Sequence, residues 1–427
     1  MDNQQLHQTF LQCGSVSTDT RKITSGSMFF AIRGERFDAN AFAADALSKG
    51  ASYAVIDNPE YQIDNRTILV DDSLAALQQL AAFHRQYLGI PIVALTGSNG
   101  KTTTKELIHA VLSKNFRTGA TVGNLNNHIG VPLTLLSFNS QTEIGIVEMG
   151  ANHQKEIEFL CGIAQPDYGY ITNFGKAHLE GFGGTEGVIK GKSEMYDYLF
   201  TNDKMAFINL DDSIQSEKSD GKERFTFGQS HSADVVISNI SANPFVSLEF
   251  NEIPVSSHLI GIYNAGNIAA AIAIGKYFSV PNNDISDAIA NYIPTNNRSQ
   301  LLDKGTNKII LDAYNANPSS MAAALANFNQ LDASYKVAIL GDMFELGPES
   351  HAEHGSIVRL ALEANADTII FVGQEFFQHA TDHPKLTFFN TFDELVAKLQ
   401  QEPISQATLL IKGSRGMALE RVLDYLN

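Results

Sequence analysis

The sequence is poor in positive charge and in cysteine, and it lacks long apolar runs. It carries 30 Lys and Arg against 47 Asp and Glu, a net charge of -17, which argues against a broad nucleic-acid or anionic-membrane surface. Its two cysteines, Cys13 and Cys161, are too few for a disulfide framework and lack metal-ligand spacing, so we expect buried or half-buried thiols. No run approaches the roughly 20 apolar residues that span a bilayer, and the polar beginning MDNQQLHQTF has no signal-peptide pattern. We therefore expect a cytoplasmic protein without nucleic-acid or membrane partners.

The order of predicted elements indicates an α/β fold in three domains. Short β-type runs alternate with helical segments through most of the 427 residues, which is typical of largely parallel sheets. We predict a small α/β N-terminal domain at 1–88 and a central P-loop ATPase-type domain at 89–296, built on a mostly parallel sheet with helices. A C-terminal Rossmann-like α/β domain is predicted at 297–427.

The predicted elements differ in clarity along the chain. A helix is predicted from Asp72 to Leu88, because its leucines share one apolar face. The segment from Asp211 to His258 is polar and broken, which predicts irregular strands and loops. The chain is predicted to end in a helix that finishes at Leu426. Strands are predicted at the short apolar runs Ser27–Ile32, Ala54–Ile56, Ile92–Leu95, Lys308–Leu311, Tyr335–Leu340, Asp367–Val372, Leu386–Asn390 and Ala407–Ile411.

The sharpest local signal is the run IVALTGSNGKTTTKELIHAVL at 92–112, in which an apolar strand enters a glycine-containing loop and then a helix. Gly97 and Gly100 can take backbone angles closed to other residues, which lets amide N–H groups turn toward phosphate oxygens. The helix N-terminus adds partial positive charge. Lys101 would reach the terminal phosphates, and the Thr102 hydroxyl would ligate Mg²⁺. The loop is one glycine short of the generic pattern, and a turn without a ligand is the alternative.

Two further strand ends point to the same place. The apolar run Ile144–Val147 leads to Glu148, and the run Tyr168–Thr172 leads into a segment that contains His178. Ligands of parallel α/β sheets sit at the carboxyl ends of the strands, so both side chains are expected to converge on the metal of the phosphate loop. Mg²⁺ prefers oxygen ligands, and His is a less usual partner. Taken alone, a solvated carboxylate and a loop histidine remain open readings.

Lys192 lies in TEGVIKGKSEMYDYL, a predicted helix with one buried side. By spacing alone it is predicted to be a surface lysine paired with Glu194 or another carboxylate, a pair worth little energetically.

Polar side chains also follow three strands of the third unit. Asp312, Asp342 and Lys412 each come directly after a predicted strand or one residue later. Helix caps and turns would explain some of these positions, but less well the dense Asn315 and Asn317 in DAYNANP. A cleft between two α/β sheets is a natural place to join two substrates.

Together these runs resemble the Mur ligase family, which builds the peptide of bacterial cell-wall precursors. They appear in the family's order and span nearly the whole chain, which is far more specific than a phosphate loop alone. The resembling runs are STDTRKITSGSMFFAIRGERFD at 17–38, LTGSNGKTTTKE at 95–106, GNLNNHIGVPLTLL at 123–136, EMGA at 148–151, TNFGKAHLEGFGG at 172–184, YNAGNIAAA at 263–271, DAYNANPSSM at 312–321, LGDMFELG at 340–347 and KGSRGMALE at 412–420.

The resemblance implies an ATP-dependent ligase that forms an amide bond. The expected substrates are UDP-N-acetylmuramoyl-tripeptide, held at its UDP end by the first domain, and D-alanyl-D-alanine, held with help from the third. The tripeptide carboxylate would attack the γ-phosphate of ATP to give an acyl phosphate, which the dipeptide amine then attacks. ATP and Mg²⁺, as two ions, are implied as cofactors, and a monomer is expected. Whether the tripeptide ends in lysine or a diaminopimelate is left open.

The resemblance also carries roles over to individual residues. The catalytic positions are Lys101, Lys192 and His178. The metal positions are Thr102, Glu148, His178 and Lys192, the last as a carbamate derived from CO₂. The ATP-binding positions are Gly97, Ser98, Asn99, Gly100, Lys101, Thr102, Thr103, Asn264, Asn267, Arg298 and Asp312. The substrate-binding positions are Thr20, Arg21, Asp38, Asn124, Asn127, Asn315 and Asn317. The run Asp38-Ala39-Asn40 departs from the family's usual Asp-Gly-His.

Other functions are weighed against this one. A sister ligase that adds the third amino acid is disfavoured, because 312–321 reads DAYNANPSSM and no Asp-Asn-Pro-Arg run is present. Folylpolyglutamate synthase shares the ATP domain but is not expected to carry the run at 17–38. A non-catalytic nucleotide-binding regulator predicts disrupted phosphate or metal positions, whereas those positions are intact here.

Overall fold

The computed structural model describes residues 2–34, 37–295 and 297–426, and within these ranges the chain forms three main sheets accompanied by helices. The first sheet is parallel, in the order β1-β2-β5-β6, and β3 and β4 form a separate antiparallel pair. These strands are β1 (Val16–Ser17), β2 (Met28–Phe30), β3 (Arg33–Gly34), β4 (Phe37–Asp38), β5 (Tyr53–Ile56) and β6 (Thr67–Leu69). The helices of this part are α1 (Asn3–Phe10), α2 (Ala43–Ser48) and α3 (Ser73–Leu88), with 3₁₀ turns at Thr20–Lys22, Ala39–Phe42 and Pro59–Tyr61.

The helix predicted at 72–88 is α3, and its ends follow from local chemistry. The Asp72 side chain accepts a hydrogen bond from the Ala75 N–H at the helix start. Gly89 ends the helix in the left-handed conformation, with φ 62°. Leu77 and Leu80 are fully buried on the face that packs into the core.

The second sheet has nine strands among the described residues, in the order β15-β14-β13-β12-β11-β10-β7-β9-β8. Pairing is parallel from β13 to β8, and only the β13-β14-β15 edge is antiparallel. The strands are β7 (Ile92–Thr96), β8 (Thr118–Ala120), β9 (Ile144–Glu148), β10 (Tyr168–Ile171), β11 (Met205–Asn209), β12 (Arg224–Gly228), β13 (Val235–Ala242), β14 (Phe245–Phe250) and β15 (Ile253–Ile260). The helices are α4 (Lys101–Leu112), α5 (Gly130–Leu136), α6 (Glu156–Ala164), α7 (Leu179–Phe182), α8 (Thr185–Thr201), α9 (Ser213–Lys218), α10 (Asn264–Tyr277) and α11 (Asn282–Ala290).

The prediction of irregular strands and loops from Asp211 to His258 is confirmed in part. The segment forms α9 and four strands, and the β13-β14 and β14-β15 pairs contain register shifts. β14 alternates half-buried and buried residues along its length. Val246, Leu248 and Phe250 point into the core, and the residues between them lie toward solvent. An antiparallel edge with one wet face needs apolar side chains only at every second position, so its sequence looks polar and broken.

The third sheet has the order β16-β17-β21-β18-β19-β20, and within the described ranges only its β16-β17 pair is antiparallel. Its strands are β16 (Gln300–Lys304), β17 (Asn307–Asp312), β18 (Lys336–Gly341), β19 (Thr368–Val372), β20 (Leu386–Phe389) and β21 (Thr408–Lys412), and the last five correspond to the five predicted strands. The helices are α12 (Pro318–Gln330), α13 (Ser350–Glu363), α14 (Gln374–Phe377) and α15 (Phe392–Gln401), with 3₁₀ turns at Gly347–Glu349 and Arg415–Met417.

The chain ends in a 3₁₀ helix at Leu419–Tyr425 rather than in the predicted helix to Leu426. The three-residue turn keeps Leu419 and Val422 on the same buried side. Cys13 is half-buried and Cys161 buried, both as free thiols, which confirms their prediction. No helix in the described ranges has the length and apolar content required to cross a membrane.

Candidate active site

The loop between β7 and α4 is shaped by close backbone contacts. Gly97 and Gly100 have φ of 138° and 80°, values that side-chain-bearing residues rarely adopt. An ideal Cβ on Gly97 would lie 2.0 Å from the Thr172 hydroxyl oxygen, and one on Gly100 would lie 2.5 Å from Oδ1 of Asn267. Only glycine fits both positions, so the loop can follow the tight path that leads into the N-terminus of α4.

Neighbouring side chains hold this loop in place. The Thr172 hydroxyl donates to the Asn99 carbonyl at 2.5 Å, and the Asn173 amide donates to the same oxygen at 3.0 Å. In return, the Asn99 N–H donates to Oδ1 of Asn173 at 3.2 Å. The Ser98 hydroxyl donates to the Gly175 carbonyl at 2.6 Å. The loop is therefore fixed to the end of β10 and does not depend on a ligand for its shape.

Lys101 folds back over the loop that precedes it. Its Nζ donates to the carbonyls of Gly97 at 2.7 Å and Ser98 at 3.2 Å. Burial of the ammonium lowers the pKa of Lys101 to about 8, against an opposing effect of Glu148 and with a smaller lowering by Arg298. An anionic ligand in the loop would favour the charged form of this amine.

Glu148 lies beside the start of α4, as its strand end predicts. The Thr102 hydroxyl donates to its Oε2 at 2.9 Å, and the Asn126 amide donates to its Oε1 at 2.8 Å. The residue is 1% exposed, so the solvated-carboxylate reading is wrong. A buried carboxylate next to a hydroxyl supplies the oxygen ligands that Mg²⁺ prefers, so these residues fit the ion.

The remaining predicted metal positions lie differently. His178 forms a hydrogen bond through Nδ1 with Oε2 of Glu345. Lys192 donates from Nζ to the Ala151 carbonyl at 3.2 Å, and its ammonium lies 5.0 Å from the centre of the Phe182 ring. The described residues contain no group of three or more His, Cys, Asp or Glu side chains arranged to hold a metal. The four-residue metal set thus remains a prediction, of which Thr102 and Glu148 are in direct contact.

The surface-lysine interpretation of Lys192 is wrong. Lys192 is 1% exposed, and burial, with a further contribution from the charge of Lys101, lowers its pKa well below the usual value. Glu194 is not its partner, because that carboxylate accepts hydrogen bonds from the N–H groups of Lys155 and Glu158 at 2.6 and 3.0 Å. Two small neighbours on α8, Gly187 and Gly191, are also buried, which shows that this part of the helix is closely covered.

The predicted ATP-binding residues Asn264 and Asn267 turn their amides toward each other and toward the loop. Asn267 donates from Nδ2 to Oδ1 of Asn264 at 2.8 Å, and its own Oδ1 accepts the Thr104 hydroxyl at 3.0 Å. Asn264 donates to the Ile260 carbonyl at 2.7 Å. These amides connect α10 to α4 at the edge of the loop.

The third sheet brings a second set of polar groups. Asp312 and Lys412 end the paired strands β17 and β21, and Nζ of Lys412 meets Oδ2 of Asp312 at 2.6 Å. The Arg298 guanidinium lies 3.7 Å from the centre of the Tyr314 ring. Nε of Arg298 is buried without a hydrogen-bond partner in the described structure, so it could donate to a ligand. Asp342 instead accepts from the N–H groups of Glu375 and Phe376, and it therefore serves the start of α14.

Polar contacts join the two sheets directly. The Asn317 amide donates to Oδ1 of Asn99 at 2.7 Å, across 218 residues of sequence. The Lys176 N–H donates to the Ser319 hydroxyl oxygen at 2.9 Å. These contacts place the carboxyl ends of β7 and β10 opposite the N-terminus of α12.

A cavity of about 620 Å³ lies between these edges. Most of the predicted site residues line it, namely Ser98, Asn99, Gly100, Lys101, Thr102, Thr103, Asn127, Glu148, His178, Asn264, Asn267, Arg298, Asp312, Asn315 and Asn317. Sequence reasoning missed Asn126, Asn173, Tyr314 and Ser319, which also line it. All four occur inside the runs quoted for the resemblance, but spacing does not say which side chain of a run turns inward.

The remaining predicted residues do not line this cavity. Gly97, Asn124 and Lys192 are among them. Arg21 is exposed and paired with Asp19 at 2.8 Å, next to Thr20 on a 3₁₀ turn. Asp38 accepts from Asn40 through its N–H at 2.9 Å and its amide at 2.6 Å. Asn40 is fully buried and also donates to Asp57 at 2.8 Å, so the departure from the family's Asp-Gly-His places a structural residue here.

Comparisons with known proteins give one consistent result along the whole chain. The family model "Mur ligase family, catalytic domain" matches residues 13–85, "Mur ligase middle domain" matches 95–275, and "Mur ligase, glutamate ligase domain" matches 297–415. The chain is 34% identical to the UDP-N-acetylmuramoyl-tripeptide–D-alanyl-D-alanine ligase of Bacillus subtilis, over 99% of this chain and 95% of that protein. It is 35% identical to the Escherichia coli ligase of the same name, over 99% and 96%.

Solved structures agree with the sequence matches. MurF from Acinetobacter baumannii superposes with a TM-score of 0.87 at 33% identity, covering 99% of this chain and 98% of the other. The MurF ligase of Thermotoga maritima in complex with ADP superposes with a TM-score of 0.83 at 25% identity, covering 97% of each chain. Because such similarity extends over nearly the full length of both partners, this chain belongs to the Mur ligase family.

Proposed function

We propose that this protein joins D-alanyl-D-alanine to UDP-N-acetylmuramoyl-tripeptide at the expense of ATP, giving the UDP-muramoyl-pentapeptide precursor of peptidoglycan. The Bacillus subtilis and Escherichia coli relatives carry the name of this activity and match 99% of the chain. The observation that carries the proposal is the cavity of about 620 Å³, where a phosphate-type loop and polar strand ends of a second sheet meet. Such a cleft is a place where the phosphates of a nucleotide and the reacting ends of two further substrates would meet.

The reaction runs in two displacements. An oxygen of the tripeptide carboxylate forms a bond to the γ-phosphorus of ATP, and ADP leaves, giving an acyl phosphate. The neutral amine of D-alanyl-D-alanine then attacks the acyl carbon, phosphate leaves, and the amine loses a proton as the amide forms. A free carboxylate is a poor acyl donor, and phosphorylation supplies the leaving group that it lacks.

The residues of this chain supply position and charge. Lys101 and the N-terminus of α4 would neutralise the terminal phosphates, whose charge is greatest as the phosphoryl group transfers. Arg298, with its unpartnered buried Nε, and Asp312 would close on the nucleotide from the third sheet. Thr102, Glu148 and His178 would hold Mg²⁺, which supplies Lewis-acid screening of phosphate charge when bound. Asn264 and Asn267 would border the adenine.

We also propose that Lys192 carries a carbamate formed with CO₂. Only the neutral amine reacts with CO₂, and the burial that lowers the pKa of Lys192 makes that form available near neutral pH. A carbamate would turn this buried cation into an oxygen ligand suited to Mg²⁺. Its carbonyl partner belongs to Ala151, which lines the cavity, so the group would lie near the reacting phosphates.

The substrate positions follow the division of the chain that we propose, with domains at 1–88, 89–296 and 297–427. The three sheets draw their strands from residues 16–69, 92–260 and 300–412, which supports these boundaries. Thr20, Arg21 and Asp38 would contact the uridine end, and Asn124 and Asn127 the muramoyl-peptide. Asn315 and Asn317 would contact the incoming dipeptide. We place the protein in the cytoplasm as a monomer, and light scattering of the purified protein tests the monomer.

A purified-protein assay tests the function. Phosphate release is expected to require ATP, UDP-N-acetylmuramoyl-tripeptide and D-alanyl-D-alanine together, and a matched reaction with a single free amino acid in place of the dipeptide should be silent. Turnover with UDP-muramoyl-dipeptide and a free amino acid would identify the sister ligase instead. ATP binding without dipeptide-dependent turnover would identify a regulator. Comparing tripeptides that end in lysine and in diaminopimelate defines the third residue.

A further inference from the structure

The pair formed by His178 and Glu345 joins the two edges of the cavity. His178 follows β10 of the second sheet, and Glu345 follows β18 of the third. Nδ1 of the imidazole and Oε2 of the carboxylate form a hydrogen bond, and both residues line the cavity. The side chains are 22% and 53% exposed, so the pair lies at the rim, where a ligand can reach it.

The backbone on both sides is held in an uncommon conformation for this contact. His178 has φ 53° and Glu345 has φ 62°, both in the left-handed region that non-glycine residues seldom adopt. The Glu180 N–H donates to the Glu345 carbonyl at 3.3 Å, which ties the two segments together beside the pair. Left-handed non-glycine residues concentrate at functional sites, where surrounding structure fixes them. His178 and Glu345 both have this conformation and face each other across the cavity, which distinguishes them from an incidental surface ion pair.

The chemistry of the pair sets the tautomer of the histidine. An ionised carboxylate can only accept, so Nδ1 must carry the proton that the hydrogen bond uses. In the neutral ring, Nε2 is then an unprotonated acceptor. Metal-ligating histidines in proteins are commonly oriented in this way. One ring N–H donates to a carboxylate, and the other, unprotonated nitrogen binds the metal.

We propose that Glu345 is a positioning residue that fixes the tautomer and orientation of His178 for a divalent cation held with ATP. The inference rests on the metal role given to His178 in the proposed function. Because the Glu345 carboxylate comes from the third-sheet part of the chain, this positioning role makes metal affinity depend on contact between the second and third sheets. The chain would therefore complete its metal site only when both edges of the cavity are in place.

A neighbouring pair provides a matched control. Lys176 lies two residues before His178, and its Nζ meets Oε1 of Glu353 at 2.5 Å. Glu353 also comes from the third-sheet part of the chain. Glu353→Gln therefore removes one negative charge from the same boundary between the two sheets and leaves the contacts of the imidazole unchanged. A general effect of charge or of sheet docking would appear in both variants, whereas loss of histidine positioning would appear only in Glu345→Gln.

The experiment measures Mn²⁺ binding to the full-length protein by electron paramagnetic resonance, with a saturating non-hydrolysable ATP analogue. We expect Glu345→Gln to weaken Mn²⁺ affinity by about 10- to 100-fold, the range found for carboxylates that orient metal-ligating histidines. Glu353→Gln should stay within about twofold of the unaltered protein by the same measure. Thermal unfolding of each variant checks that the protein is folded.

Two further variants separate the possible failures. His178→Ala should weaken Mn²⁺ binding, and the double variant Glu345→Gln/His178→Ala should bind no more weakly than His178→Ala alone. If His178→Ala leaves Mn²⁺ affinity unchanged, the metal role of His178 is wrong and the positioning role falls with it. If His178→Ala weakens binding while Glu345→Gln leaves it unchanged or tighter, the proposed function stands and the positioning role of Glu345 is overturned.

Discussion

Two buried hydrogen-bonded networks in this molecule look alike and serve different ends. In the first, Thr102 and Asn126 donate to the Glu148 carboxylate at 2.9 and 2.8 Å. In the second, His7 and His84 share a hydrogen bond at 3.0 Å, and His84 bonds the Phe138 carbonyl at 2.9 Å. Each network joins segments far apart in sequence. The first borders the cavity, whereas the histidine pair packs among the rings of Phe10, Phe83 and Tyr87.

The comparison shows that burial and a shifted pKa do not by themselves identify a functional group. Burial lowers the pKa of His84, and burial together with the charge of His84 lowers that of His7. Burial also lowers the pKa of Lys101, to about 8. The histidines hold two parts of the chain together among packed rings, whereas the lysine faces a space that an anion can enter. Access to an open cavity separates the two cases.

The largest expected effect is on Lys101. Lys101→Ala should reduce kcat by about 10³-fold or more, because one preorganised group on the transferring charge is worth that order. The thermal midpoint should not fall, since removing a buried ammonium relieves a desolvation cost. Phosphate release and thermal unfolding measure the two effects. Lys114→Ala, just past the end of the same helix, is the control, and near-normal activity of Lys101→Ala would refute the assigned role.

Lys192→Ala is expected to lose most turnover, by about 10²-fold or more, as for other groups that hold a catalytic metal. Short carboxylic acids such as formate or acetate should restore part of it, because they can occupy the place of the carbamate oxygens. The assay is phosphate release with and without added acid. Lys190→Ala, exposed on the same helix, should behave as the unaltered protein in both conditions. Inactivity without any rescue would count against the carbamate.

Asn126→Ala should raise the Mg²⁺ concentration for half-maximal activity by about 10- to 100-fold, because one oxygen of Glu148 loses its hydrogen-bond donor. The matched variant Asn127→Ala belongs to the same loop and is predicted to face the muramoyl-peptide. It should raise the KM for that substrate and leave the Mg²⁺ requirement nearly unchanged. Equal Mg²⁺ requirements in the two variants would show that Asn126 does not position Glu148.

The smallest effect concerns the histidine pair and appears in stability rather than in turnover. Both folded-state pKa values lie below the unfolded value, so the unfolded chain binds more protons in the window below about pH 6.5. Stability is therefore fully present above this window and falls as the pH drops through it. His84→Gln keeps a donor and an acceptor without titrating, so its thermal midpoint should fall less between pH 7 and pH 5. His128→Gln, at an exposed position, is the control, and equal acid sensitivity of His84→Gln would contradict the assignment.

The sequence predicts most of the fold because short, continuous apolar runs and helix caps are local signals. The central parallel strands β7, β9 and β18 are buried on both faces, so their sequences are mostly apolar and easy to recognise. The antiparallel edge β13-β14-β15 is predicted only as irregular strands and loops, because its wet face fills alternate positions with polar residues.

The site was predicted to a similar extent, and its gaps have a physical cause. Strand-end logic placed Glu148 and His178 at the cavity, since it depends only on the direction of parallel strands. It could not place Asn126 or Ser319, because their roles depend on a partner elsewhere in the chain. Spacing alone predicts an exposed Lys192 for the same reason. The residues that cover this part of α8, such as Ala151, lie about 40 positions earlier in the chain.

The close contacts of Gly97 and Gly100 in the phosphate loop also restrict which substitutions this protein can accept during evolution. A side chain at Gly97 would need the Thr172 hydroxyl to move, and one at Gly100 would need the Asn267 amide to move. The positive φ at both positions adds backbone strain to these contacts, so any side chain at either position is expected to disturb the loop. The opposite wall of the cavity is less constrained by packing, since Asn315 there is exposed, and it is limited by the proposed contact with the dipeptide instead.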